Sequence, residues 1–133
     1  MNDTLAKIGT IAIVDDDEAL REALGSVMKA AGFKIETFAT AEEFLDSDRR
    51  ANTACLILDI RLPGMNGIEL QRRLADSSSP IPIVFVTAHG DASVRDLVIK
   101  AGAAGFLNKP VRSDALLKAI YAALSKVGTK NEL

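Results

Sequence analysis

Cys55-Leu56-Ile57-Leu58-Asp59-Ile60-Arg61-Leu62-Pro63-Gly64-Met65-Asn66-Gly67 is the stretch whose reading decides the fold. An apolar run of strand length ends in an acid, and turn-forming residues follow at once. A strand without polar alternation is buried on both faces, the habit of parallel sheets covered by helices. Asp59 then stands where a buried strand emerges, at the carboxyl edge where open α/β sheets collect ligands and chemistry.

Three other apolar runs end in the same manner. Thr10-Ile11-Ala12-Ile13-Val14 runs into Asp15-Asp16-Asp17-Glu18, Ile81-Pro82-Ile83-Val84-Phe85-Val86 delivers Thr87, and Gly105-Phe106-Leu107 delivers Asn108-Lys109-Pro110. Pro82 is tolerable only near the start of its strand. Phe33 to Phe38, with polar Lys34 and Glu36 interleaved, is expected as a strand near a sheet edge.

Helical spacing fills the intervals. Ala19, Leu20, Ala23, Leu24, Val27, Met28 and Ala31 fall on one face, and Gly32 stands where a left-handed C-cap belongs. Thr40-Ala41-Glu42-Glu43 has the form of a capping box opening a short helix with Phe44 and Leu45 inward. A third helix starts at Gly67, with Ile68, Leu70 or Gln71, and Leu74 near the core. A fourth, from about Ala92, is expected to bury Val94, Leu97, Val98 and Ala101, with Ile99 off the buried face and Gly102 ending it. The last opens at Arg112-Ser113-Asp114, with Leu116, Leu117, Ile120, Tyr121 and Leu124 on its apolar face. Five strands alternating with five helices predict an α/β fold, an open parallel sheet with helices on both faces.

A chain of 133 residues suits one well-buried core. Residues 1–9 are expected as a short lead-in, 10–126 as the domain, and 127–133 as a polar tail. Hydrophobic residues at 48% against 26% charged are globular rather than disordered proportions. A net charge of −2 with no basic run gives no reason to expect direct contact with nucleic acid. Cys55, the only cysteine, lies inside an apolar run and is expected as a buried core residue in a reducing compartment. No apolar segment approaches the ~20 residues that cross a bilayer, so no membrane partner and a cytoplasmic location are expected.

Right-handed crossovers would bring Asp15/Asp16, Asp59, Thr87 and Lys109 to one edge. One acid at a helix start is explained by capping, with Asp17 or Asp16 as the cap. Three in a row repel one another and call for a compensating cation. Few protein ligands and room for water favour Mg²⁺. A carboxylate nucleophile, a hydroxyl and an ammonium beside a divalent cation are equipment for phosphoryl transfer to a carboxylate. Taken singly, a strand-ending Thr is usually a cap and a Lys before Pro is usually solvated.

Ile13-Val14-Asp15-Asp16, Leu58 to Gly67, Val86-Thr87-Ala88 and Phe106-Leu107-Asn108-Lys109-Pro110 together resemble the receiver domain of bacterial two-component response regulators, over residues 10 to about 126. The sheet order 2-1-3-4-5 is carried over from that resemblance. The resemblance implies that Asp59 is the phosphoacceptor, loaded by a histidine kinase or phosphotransfer protein. It implies that Asp16, with Asp15 assisting, Asp59 and the backbone carbonyl of Arg61 hold Mg²⁺. Thr87 matches the hydroxyl that bonds a phosphate oxygen, Lys109 the lysine that pairs with the carboxylate and then the phosphoryl group, and Pro110 a proline after a cis bond. Thr87 and Phe106 match switch positions, the latter commonly Tyr in the family. Arg61 and His89 fall where the family tunes phosphoryl lifetime, although a solvated loop serves equally for His89. The implied output is a downstream effector, or self-association, through the surface of the fourth helix, fifth strand and last helix.

A phosphatase of the haloacid dehalogenase type is the alternative, since it also uses Asp, Mg²⁺, Thr and Lys. Asp15-Asp16-Asp17 supplies its Asp-x-Asp, but only Asp114 and Glu132 follow Lys109 as acids where that family needs a pair.

Overall fold

The computed structural model describes residues 9–48, 50–77 and 80–132. Within them five strands, β1 (Thr10–Val14), β2 (Lys34–Phe38), β3 (Thr53–Leu58), β4 (Ile83–Thr87) and β5 (Gly105–Asn108), alternate with five helices. The helices are α1 (Glu18–Ala30), α2 (Ala41–Asp46), α3 (Gly67–Ala75), α4 (Ala92–Lys100) and α5 (Ser113–Glu132), with one 3₁₀ turn at Arg50–Asn52. All pairings are parallel, in the order β2-β1-β3-β4-β5. The expected lead-in lies outside the described residues except for Gly9, as do Ser78 and Ser79 before the fourth strand.

Successive side chains of a strand point to opposite faces, and the apolar runs supply both. Ile11, Ile13, Cys55, Ile57, Val84 and Val86 pack under α1 and α5 against Leu24, Met28, Leu116 and Ile120. Ala12, Val14, Leu56, Leu58, Ile83 and Phe85 pack on the other face against Ala41, Phe44, Leu70, Leu74 and Val98 of α2, α3 and α4. Cys55 is fully buried, and burial pushes its thiol up to about 12, which makes it an inert core residue.

Each of the first four helices begins on a side-chain oxygen that accepts a backbone N–H of its first turn. Asp17 accepts from Leu20, Thr40 from Glu43, Asn66 from Glu69 and Asp91 from Val94. Glu69 returns the bond to the Asn66 N–H, completing a capping box. Gly32 and Gly102, at φ of 97° and 104°, turn the chain after α1 and α4 in the left-handed conformation.

Several sequence expectations need correction. Ala19 and Ala23 are exposed, because α1 turns Leu20, Leu24, Gly25 and Met28 toward the sheet. Leu97 and Ala101 are exposed rather than buried. The fourth helix lies at the β5 margin of the sheet, where only one narrow strip of it meets the body, and Val98 alone is fully covered. Ile99 is exposed as expected. Tyr121 is also exposed, its ring 5.8 Å from that of Phe33. The last helix continues through Glu132, beyond residue 126 where the sequence suggests a polar tail.

Candidate functional site

The carboxyl ends of β1, β3, β4 and β5 meet at one edge, because parallel strands in register finish together. Val14 pairs with Leu58 and Thr87 with Asn108, so Asp15, Asp59, Thr87 and Lys109 all emerge at the same level. The Asp59 N–H donates to the Val14 carbonyl (3.1 Å) and the Lys109 N–H to the Thr87 carbonyl (2.9 Å), extending the ladders to the site. The peptide bond between Lys109 and Pro110 is cis.

Asp15 and Asp59 are buried, at 2% and 5% exposure, and Asp16 is exposed. Their carboxylates offer three oxygens within 4.8 Å of one another. Lys109 Nζ lies 3.0 Å from Asp15 Oδ2 and 3.0 Å from Asp59 Oδ2, so one ammonium bridges the two buried acids. Burial lowers the Lys109 pKa, but its hydrogen bonds to Asp59 and Asp15 outweigh that and hold it above 10.5. For Asp15 burial wins the contest. Its pKa stands above the usual 3.8 despite the bonds from the Asp17 N–H and Lys109, and the charge of Asp59 pushes the same way. A buried acid that resists ionisation gains most from a cation beside it. The three-carboxylate cluster is therefore chemically fit for a hard divalent ion.

The neighbouring groups divide into those expected and those not. Thr87 is fully buried, and its Oγ1 accepts from the His89 N–H (3.2 Å). The Arg61 N–H donates to Asp59 Oδ1 (3.4 Å), so the backbone of Arg61 stands at the carboxylate while its side chain is exposed. Phe106 is half-buried at the β4–β5 end of the site, with its ring against Gly90 and the Thr87 side chain close by. Sequence reasoning missed Arg21, whose Nη1 donates to the Asp15 carbonyl (2.7 Å). Its position one turn into α1 on the acidic-loop side was the available signal. It also missed Asn66 as a cap, although Asn-x-x-Glu is the pattern that identifies one.

A Cβ at Gly67 would collide with the Asp59 carbonyl oxygen, so only glycine lets α3 start directly on the strand end. Glu42 of α2 reaches the same loop. Its Oε2 accepts from the Met65 N–H (2.9 Å) and lies against Gly64, which has a φ of 72°.

Residues 11–121 match the model of the response regulator receiver domain. The response regulator protein TodT of Pseudomonas putida F1 is 44% identical over 118 residues, 89% of this chain and 52% of TodT. The transcriptional regulatory protein FixJ of Bradyrhizobium diazoefficiens is 39% identical over 116 residues, 87% of this chain and 57% of FixJ. A solved structure of the response regulator StyR matches with a TM-score of 0.83 at 46% identity, covering 92% of this chain and 62% of that one. The chain spans about half the length of the curated relatives it matches.

Proposed function

We infer function from family and site together: the chain belongs to the response regulator receiver domain family, and is a phosphoacceptor rather than a true enzyme. Within it we assign phosphorylation to Asp59. The observation that carries this assignment is the Lys109 bridge, 3.0 Å to a carboxylate oxygen of Asp59 and 3.0 Å to one of Asp15. An Asp59 oxygen attacks phosphorus, a P–O bond forms, and the P–N bond of a phosphohistidine donor breaks. Lys109 follows the negative charge from the carboxylate to the phosphoryl oxygens, and the Thr87 hydroxyl offers them a hydrogen bond.

Asp16, Asp15, Asp59 and the Arg61 carbonyl are the proposed ligands of Mg²⁺, which when bound supplies charge neutralisation between the carboxylates and the incoming phosphoryl group. Phosphorylation adds close to two negative charges, and Thr87 with Phe106 is the proposed relay of that change to the α4–β5–α5 surface. The proposed partners are a histidine kinase or phosphotransfer protein on the input side, and an effector or second copy on the output side. The relatives named above include a transcriptional regulator, and the regulated process of the whole protein is proposed only at the level of signalling. No described helix is long and apolar enough to cross a membrane, and a cytoplasmic location is the proposal.

The phosphatase alternative finds no support. That chemistry needs a pair of acids after Lys109, whereas the two in the sequence, Asp114 and Glu132, are far apart along the chain and Asp114 is exposed and pairs with Arg112 (3.1 Å). Radiolabel transfer from phosphoramidate tests the assignment. Incorporation should need a divalent cation and vanish in Asp59→Asn, whereas undiminished labelling of that variant would overturn it.

A further inference from the structure

The attachment of α4 to the body is slight. Of its nine residues only Val98 is buried, while Leu97 and Ile99 stand 48% and 43% exposed. Its N-cap, Asp91, is its own neighbour in sequence and ties it to nothing else. The described polar contact between α4 and the body that is itself buried comes from Gln71 of α3. Gln71 Nε2 donates to the Val98 carbonyl at 3.0 Å, and Gln71 is only 4% exposed. A buried amide is costly unless its bonds are made, so this contact is a strong geometric constraint. The same carbonyl also accepts from the Ala103 N–H (2.9 Å), the bond that closes the end of α4.

Gln71 leads back to the phosphorylation site through one turn of helix. Four residues earlier, the Gly67 N–H donates to the Ile60 carbonyl (2.8 Å), and Gly67 packs on the carbonyl of Asp59. A nine-residue helix is stiff over that length, so a shift of the Asp59 strand end moves Gln71. Space exists for the response. Gln71, Leu74, Ile81 and Ala101 are among the residues lining a half-open pocket of about 180 Å³ beside the end of α4.

We propose that Gln71 is a positioning residue that holds α4 in its resting place, and that loading of Asp59 loosens this hold through Gly67 and α3. This route is separate from Thr87 and Phe106, and it rests on the assignment of Asp59 above. If the Gln71–Val98 bond belongs to the resting state, removing it favours the loaded state. Linkage then requires tighter binding of a phosphoryl mimic by the factor the bond contributes, roughly two- to tenfold.

The test compares the wild-type chain with Gln71→Met, which keeps an unbranched side chain of similar length and loses the donor. Beryllofluoride with Mg²⁺ is the probe, and its affinity is read together with deuterium exchange of residues 92–104. The variant should bind beryllofluoride more tightly, and its unloaded α4 should exchange faster, toward the rate of loaded wild type. A merely structural Gln71 would lower the melting temperature and leave the affinity alone. Equal affinities with an equal α4 response overturn the proposal, while failure of wild type to bind the probe at all strikes the Asp59 assignment first. Should the variant not fold, nuclear magnetic resonance of the wild-type Gln71 side-chain amide decides the matter. Its protection from exchange should fall on loading, and unchanged protection contradicts the proposed hold.

Discussion

The ring of Phe106 rests on the backbone of Gly90, so closely that a Cβ at position 90 would collide with its Cζ and Cε1 atoms and meet Thr87 Cγ2 at 3.0 Å. The loop after β4 thus has a smooth patch shaped to the aromatic ring of β5. Gly90→Ala should expel the ring and cost about 1 kcal/mol, at the low end for an overpacked site, because the ring tip can swing away. In a Phe106→Leu background the same substitution should cost less, because only the Thr87 contact is left to give way. Urea unfolding of the four proteins of this double-mutant cycle gives the coupling, and additive costs would show that the ring and the glycine do not constrain one another.

Lys109 is the compensating charge for two buried carboxylates, with its side chain 20% exposed. Lys109→Met should destabilise the domain by roughly 1–3 kcal/mol, less than a fully buried pair would lose, since solvent reaches the site. A divalent cation replaces part of the missing charge. Added Mg²⁺ should therefore raise the melting temperature of the variant more than that of wild type, and an equal rise in both would argue that the acidic cluster does not hold the ion.

Glu42 makes the pH dependence of the loop after Asp59 predictable in sign. The N–H of Met65 beside its carboxylate holds its pKa below 4.5, helped by a bond from its own backbone and the charge of Arg73. A depressed folded-state pKa stabilises the fold above the unfolded value, and that contribution is lost as pH falls through the folded one. Amide exchange at Met65 should accelerate as pH drops below 4.5, after correction for intrinsic chemistry. Glu42→Gln, which keeps an acceptor oxygen but no charge, should flatten the profile.

Thr87 offers its hydroxyl oxygen to the His89 N–H in the resting chain. Its proposed second use, toward a phosphoryl oxygen, is a bond to a charged acceptor worth about 1.5–3 kcal/mol. Thr87→Ala should accept phosphate on Asp59 but lose one to two powers of ten in the ratio of switched to resting forms. Partner binding or self-association at equal phosphorylation measures that ratio. Equal responses would move the coupling to Lys109 or to the loop after Asp59.

What the sequence disclosed and what it hid follow one physical line. Short apolar runs bounded by turn-forming residues read as buried strands, so the sheet and the four strand ends that meet at one edge were legible from residues 10–14, 55–59, 81–87 and 105–109. Their order came from the family resemblance, since crossovers leave no local mark. Helix faces were less legible. Leu97 and Ala101 obey the helical period as well as Val98 does, and only the position of α4 at the sheet margin explains why they face solvent. Arg21 and the tie of Glu42 to Met65 were hidden because polar residues on helices are usually solvated, and their partners lie on other segments. Gln71 was placed near the core as an alternative to Leu70, but its partner, the Val98 carbonyl on another helix, left no local mark.

The central claim, phosphorylation of Asp59, is tested most directly by loading the chain with acetyl phosphate and Mg²⁺, trapping the acyl phosphate with borohydride, and locating the reduced residue by mass spectrometry. The expected result is a single modification at Asp59 that disappears when the divalent cation is chelated. Modification of Asp15 or Asp16 with Asp59 untouched would contradict it.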